Sequence, residues 1–360
     1  MATHGEAIPS ARPRVGWAGS VRDRPLLLVG LGMVALVVAL VLGVGVGSVG
    51  IDPGDTIKIL AHRFLGLDVA RTWSDATETI VVELRLPRVL TAMLVGGGLA
   101  VAGATFQGLL RNPLADPYVL GTASGAALGA AIAVLIPVRF VILEFGLIQG
   151  LAFAGALAAI YAVYKLSRVG GLSPLTSLLL TGYAVGSLLA AGLAMAMYLS
   201  GAALRQIFTY LLGSFDSATW PRFLGTLPII VLASVAIMLR ARSLNGLLLG
   251  EQAAAHLGVD VTRERRILLG LASLVTAAAV AISGLIGFVG LVVPHVVRLL
   301  VGPSARLVLP LSAIGGAALL AYADIVARLA GGIPVGVVTA ILGAPFFLLI
   351  LRRARTGYEI

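Results

Sequence analysis

The chain has 360 residues, 59% hydrophobic and only 12% charged, with a mean hydropathy of +1.04. A soluble domain carries about twice that charged fraction, so the bilayer rather than water is the solvent that fits this composition. With no cysteine, disulfides, thiol catalysis and Cys-based metal sites are excluded. The net charge of +10 would suggest nucleic acid in a soluble protein, but here the cations sit mainly in short segments between apolar runs.

Residues 1–24 read as a polar tail with Arg12, Arg14, Arg22 and Arg24. The apolar run at about 25–48 is longer than a signal-peptide core and is expected to be a retained helix. The loop 49–83 is acid-rich. Within it Asp52 and Pro53 mark a helix start, and Ile57, Leu60 and Phe64 share one face. A short helix lying on the membrane surface is expected there.

The stretch from Leu84 to Gly125 organises the rest. Arg85 and Arg88 stand on either side of Pro87, and an apolar helix follows. It stops at Arg111, Asn112 and Pro113, and Pro117 and Gly121 keep the chain irregular before the next apolar run. Irregular backbone at membrane depth survives only where protein buries it or water reaches it, so this turn is a candidate lining for a transport path. An ordinary interhelical loop is the alternative.

Further spans are expected at about 88–110, 117–137, 140–164, 174–199, 221–239, 266–282, 285–301, 306–327 and 334–351, ten in all. The eighth is interrupted by Gly284, Gly287, Gly290 and Pro294. With the N-terminus inside, roughly two thirds of the 26 lysines and arginines fall on inner segments, which supports ten spans with both termini cytoplasmic. The broken segments 103–121 and 284–294 occupy similar places in the two halves, a pattern that points to a transport site.

The inner loop at about 241–265 contains GEQAAAHLGV. Glu251 to Leu257 suit a short helix, Gly258 ends it, and Asp260 or Thr262 can cap the next one. This small, Ala-rich knob suits a groove on a partner; a solvated loop helix is the bland alternative. His256 within it reads as a contact residue.

No phosphate-binding loop is possible, because the only lysines, Lys58 and Lys165, are followed by Ile and Leu. No His-Glu-x-x-His motif occurs, and His4, His62, His256 and His295 are scattered. His295 follows Pro294 and is expected to bond a carbonyl that the proline frees; a metal or proton role is the other reading. An ion-coupled secondary transporter of a small solute would need carboxylates inside the spans. Asp116, Glu144 and Asp324 all lie near expected helix ends, and Asp324 with Arg328 has helical ion-pair spacing.

LRLPR, the QGLLRNPLADPYVLGTASGA run, GEQAAAHLGV, GFVGLVVPHVVRL and ADIVARL with IPVGVVTAILGAPFF occur in that order. Together they resemble the permeases of ABC importers for iron chelates, haem and cobalamin. The resemblance implies an all-α polytopic membrane protein of the type II importer class, with 25–351 as the permease domain between an N-terminal tail and a C-terminal tail at 352–360. It implies a second copy around a shared path, two cytoplasmic ATP-binding subunits, an extracytoplasmic substrate-binding protein, and the cytoplasmic (inner) membrane. The cargo class would be a ferric siderophore, haem or a corrinoid. No cofactor and no enzymatic activity are expected in this chain. By the same resemblance, Arg85, Arg88 and Arg328 would meet the binding protein. Gly250, Glu251, Ala254, His256, Leu257 and Gly258 would couple to the ATPase. Asn112, Pro113, Leu114, Thr176 and Ser177 would form the inner gate.

Overall fold

A computed structural model describes residues 24–47, 50–136, 141–142, 145–167 and 174–355. The tail segments 1–23 and 356–360, expected to face the cytoplasm, lie outside the described residues.

Helix α1 spans Pro25–Gly45 and α2 spans Pro53–Leu65. As the sequence suggests, the Asp52 carboxylate caps α2 by accepting the Gly54 and Asp55 amides. Helix α2 buries Thr56 and Ile59 against the bundle; of the three residues expected to share a face, Ile57 and Phe64 are exposed and Leu60 is half-buried against the core. Helix α3 runs through Asp75–Leu109, starting well before the expected residue 88. Ser74 caps its start, and a π-turn at Ile80–Arg85 lets the Leu86 amide reach back to the Val81 carbonyl. This wider turn accommodates Pro87, whose missing N–H would otherwise break the ladder.

Helix α4 (Thr122–Leu135) leads through a short antiparallel pair, Val141–Ile142 with Phe145–Gly146, to α5 (Leu147–Leu166). Then come α6 (Pro174–Leu199), α7 (Leu204–Leu212), α8 (Trp220–Leu239), α9 (Ala241–Leu248) and α10 (Glu251–His256). The last four are α11 (Val261–Ser283), α12 (Val289–Val301), α13 (Ala305–Leu329) and α14 (Val335–Arg355). Among the described residues, 7 helices are long and apolar enough to cross a membrane: α1, α3, α5, α6, α8, α11 and α13. Three shorter apolar helices, 122–135, 289–301 and 335–349, bring the set to the expected ten. Helix α7 was not anticipated; its Ile207 packs with Ala131 and Ala196, and its exposed face mixes Arg205, Gln206 and Thr209 with Phe208 and Leu212.

Helix α3 is the axle. It contacts α1, α8, α9, α11, α12 and α13, and most of its span is buried. Small residues set the spacing, because lipid offers no hydrophobic drive for helices to associate. A Cβ on Gly96 would lie 2.2 Å from the Gly316 carbonyl oxygen of α13, and one on Gly103 would lie 1.9 Å from the Gly290 carbonyl oxygen of α12. Gly125 of α4 and Gly155 of α5 make the same reciprocal contact.

The end of the bundle that holds the α1 C-terminus, the α3 N-terminus and residues 213–219 is called the upper end below. The end with α9, α10 and residues 110–116 is the lower end. Because Gly103 meets backbone rather than a flexible side chain, Gly103→Ala should cost on the order of 2–3 kcal/mol. Gly270→Ala, with nothing within 4 Å, should be neutral or mildly stabilising. Thermal unfolding in lipid nanodiscs should place Gly103→Ala below the wild type and Gly270→Ala at or above it.

Candidate substrate path and docking faces

Three groups of polar residues stand out along the bundle. At the upper end, Asp324 is fully buried in α13. It accepts Nε of Arg88 at 3.0 and 3.2 Å and Nη2 at 2.8 Å, and its other flank faces Arg328 Nε at 3.1 Å. Arg88 also gives Nη1 to Asp216 at 2.5 Å. Burial pushes the Asp216 carboxyl up, but the Ser214 hydroxyl and the Arg88 charge outweigh it and hold the group below the usual carboxylate range.

The other two arginines finish α1. Arg85 donates Nη1 to the carbonyls of Val44 and Gly45 at 2.9 and 2.7 Å, and Arg328 donates Nη1 to the Val46 carbonyl at 2.5 Å. The last carbonyls of a helix lack intrahelical donors, and cations there also oppose the helix dipole. Arg85, which the resemblance assigns to the binding protein, is 7% exposed in this single chain and spends these bonds on α1. Asp324, expected near a helix end, is a fully buried carboxylate in the last turns of α13. That carboxylate lies between two guanidiniums, an arrangement that serves architecture better than ion coupling.

The second group is the break between α11 and α12, residues 284–288. Gly284 and Phe288 both have positive φ, 69° and 70°; the glycine tolerates this freely, and Phe288 is held there by packing on Gly343. The irregular backbone is satisfied from four directions. Tyr118 donates its hydroxyl to the Ile286 carbonyl at 3.0 Å and accepts the Ile286 amide at 3.3 Å. The Ser214 amide reaches the Ser283 carbonyl at 2.8 Å, and the Leu285 amide faces the Tyr210 carbonyl at 3.4 Å. The Tyr210 hydroxyl donates to the Val280 carbonyl at 2.9 Å.

Tyr118 belongs to the other irregular segment, 110–121, and Pro117 of that segment lies against Gly290. The two interruptions that the sequence places in corresponding halves therefore touch. Just below, Pro294 cannot bond the Gly290 carbonyl, and Gln107 of α3 donates Nε2 to that oxygen at 3.3 Å and to the Leu291 carbonyl at 3.2 Å. Arg298 holds the Gln107 amide oxygen at 2.5 Å. His295, expected to take the freed carbonyl, instead sets its ring edge-on to Phe346.

The third group is the lower end. Asn112 spends its side-chain oxygen on the Leu114 amide at 2.9 Å, a local turn, and Asn112 and Pro113 are exposed. Leu114 is half-buried. Thr176 is exposed, whereas the Ser177 hydroxyl is buried and bonds the Ser167 carbonyl at 2.6 Å, tying α6 to the end of α5. Among the described residues no hydrogen bond joins the 112–114 turn to Thr176 or Ser177.

The α10 knob forms as expected. Gly250 enters it at φ 108°, Gly258 leaves it at φ 79°, and Asp260 caps α11 by accepting the Arg263 amide. His256, Leu257 and Gly258 are exposed, Leu257 by 65%. Ala254 is fully buried against Gly246, where α10 packs on α9. Glu251 pairs with Arg265 at 2.5 Å. Arg111, at φ 48°, brings Nη1 within 3.6 Å of the place a Gly250 Cβ would occupy, so the 110–116 turn and the knob are neighbours.

A polytopic bundle with two interlocked helix interruptions, a charged upper end and an exposed lower knob belongs to the class of transport permeases. Residues 35–353 match the FecCD transport family, and the chain belongs to it. It is 47% identical to the cobalamin import system permease protein BtuC of Halobacterium salinarum over 279 residues, covering 77% of this chain and 74% of the relative. It is 40% identical to the hemin transport system permease protein HmuU of Yersinia pestis, covering 81% and 90%. A solved structure described as an inward-facing metal-chelate type ABC transporter superposes with a TM-score of 0.78 at 30% identity, over 91% of this chain and 99% of that one. The chain is thus a multi-pass membrane permease subunit of an ABC importer.

Asp324→Asn should leave Arg328 without an anion and Arg88 with Asp216 alone. It should cost on the order of 3–5 kcal/mol, whereas Asp216→Asn, at an exposed rim, should cost less than about 1 kcal/mol. Unfolding of the two variants side by side measures the difference.

Proposed function

We propose that this permease carries a large metal chelate, a corrinoid, haem or ferric siderophore, inward across the cytoplasmic membrane. In this reading it works as a pair of identical subunits, with both chain termini cytoplasmic. The observation that carries the reading is the pairing of the two broken segments between the two differently equipped ends. The upper end, charged and acid-accepting, faces an extracytoplasmic substrate-binding protein through Arg88, with Arg85 and Arg328 holding the frame. The lower knob, His256, Leu257 and Gly258 above all, seats in a groove of each ATP-binding subunit, with Gly250, Glu251 and buried Ala254 setting its shape. Asn112, Pro113 and Leu114 adjoin that knob through Arg111, which supports a gate role for the turn. Thr176 and Ser177 at the start of α6 would form the facing side. The named relatives support the cargo class, since their names cover cobalamin and hemin and a further one covers Fe(3+)-citrate.

Proteoliposomes holding the permease, its ATP-binding subunits and its binding protein should take up cobalamin, haem or a ferric chelate only with ATP. Uptake driven by a proton or sodium gradient without the ATPase would contradict the reading. Leu257→Glu should reduce ATPase co-purification and ATP-driven uptake at least about tenfold, in keeping with a buried interface anchor, while insertion stays normal.

A further inference from the structure

The Asp216 side chain is 66% exposed, whereas that of Asp324 is 1% exposed. Both hold Arg88, but from opposite sides. Asp324 fixes Nε and Nη2 within the bundle; Asp216 takes only Nη1, at the rim. An incoming carboxylate can therefore replace Asp216 without moving Arg88.

The segment that carries Asp216 is a strap. The Ser214 hydroxyl donates to Asp216 Oδ2 at 2.6 Å, and the Asp216 amide donates back to Ser214 Oγ at 3.0 Å. The Ser214 amide holds the Ser283 carbonyl at the end of α11, and the Gly213 carbonyl accepts the Gly336 amide at the start of α14. Arg88 on α3 is thus linked through residues 213–216 to the end of α11, beside the break, and to the start of α14. Beside the strap lies a cavity of about 240 Å³ lined by Gln149, Gln206, Thr209, Ser217, Ser283 and Asp216 itself. Ile148, Ala281 and Ile282 complete walls that are part apolar and part polar, which suit a protein segment carrying both kinds of side chain.

Resting on the reading that a binding protein docks at the upper end, we infer that Asp216 is an internal stand-in for that partner's carboxylate. An acidic segment of the binding protein enters this cavity and takes Arg88 Nη1. Asp216 is displaced, and the 213–216 strap loosens over the α11–α12 break. One carboxylate is exchanged for another, so Arg88 keeps its charge partner throughout. Exposed ion pairs are weak enough for the exchange to be reached by docking.

Two measurements test this. The chain lacks cysteine, so Ser283→Cys is a clean thiol probe under the strap. In the permease alone, adding Asp216→Asn should raise its labelling rate about two- to fivefold, the range an exposed ion pair allows. An unchanged rate would overturn the strap. Docking of the binding protein to nanodisc-held permease is then followed at low and high salt. Under the exchange, Asp216→Asn tightens docking by about two- to fivefold, because the internal competitor is gone. Salt-sensitive docking that Asp216→Asn leaves unchanged or weakens would overturn the exchange alone. Salt-independent docking of the wild type would count against the docking reading itself.

Discussion

No backbone amide or carbonyl can be left unpaired in a bilayer, and among the described residues the segments 110–121 and 284–288 depart from helix against each other within the bundle. Each departure is tolerable because the other is there. Segment 110–121 brings Tyr118, whose single hydroxyl serves both the amide and the carbonyl of Ile286. The break at 284–288 gives Tyr118 a buried partner and lets Gly290 receive Pro117. Gln107 completes the arrangement by taking the carbonyl that Pro294 orphans. A helix that bends at such a place needs an external donor, and α3 supplies it from a rigid, buried position.

The ends follow from the same accounting. The α1 carbonyls Val44, Gly45 and Val46 need donors, and two arginines serve them. Concentrating guanidiniums in a partly buried site requires an anion, and Asp324 is that anion. At the lower end water can satisfy exposed groups, so the chain can present a small helix with apolar Leu257 outward. The result is a bundle whose middle is fixed by reciprocal bonds and whose ends carry the chemistry that partners read.

Much of this was legible in the sequence. Long apolar runs marked the spans, and even the short helices α4 and α12 were found. The Asp52-Pro53 start, the Gly258 stop and the Asp260 cap were local signals that tertiary structure left intact. The early start of α3 was hidden because Asp75, Glu78, Glu83 and Arg85 read as a polar loop. The partners of Arg88 were also hidden, because Asp216 and Asp324 lie 128 and 236 residues away and no periodicity connects them. Arg85 and Arg88 were conspicuous as cations beside Pro87, yet nothing local tells an arginine that finishes a neighbouring helix from one that greets a partner. Gln107 could have been singled out: a lone amide deep in an apolar helix has to find a partner.

The interlock of the two broken segments is the central claim, and hydrogen exchange at Ile286 in lipid nanodiscs tests it most directly. The account predicts slow exchange in the wild type and about five- to tenfold faster exchange in Tyr118→Phe, the loss of one hydrogen bond's worth of protection. An Ile286 amide that already exchanges freely in the wild type, or that Tyr118→Phe leaves unchanged, would contradict it.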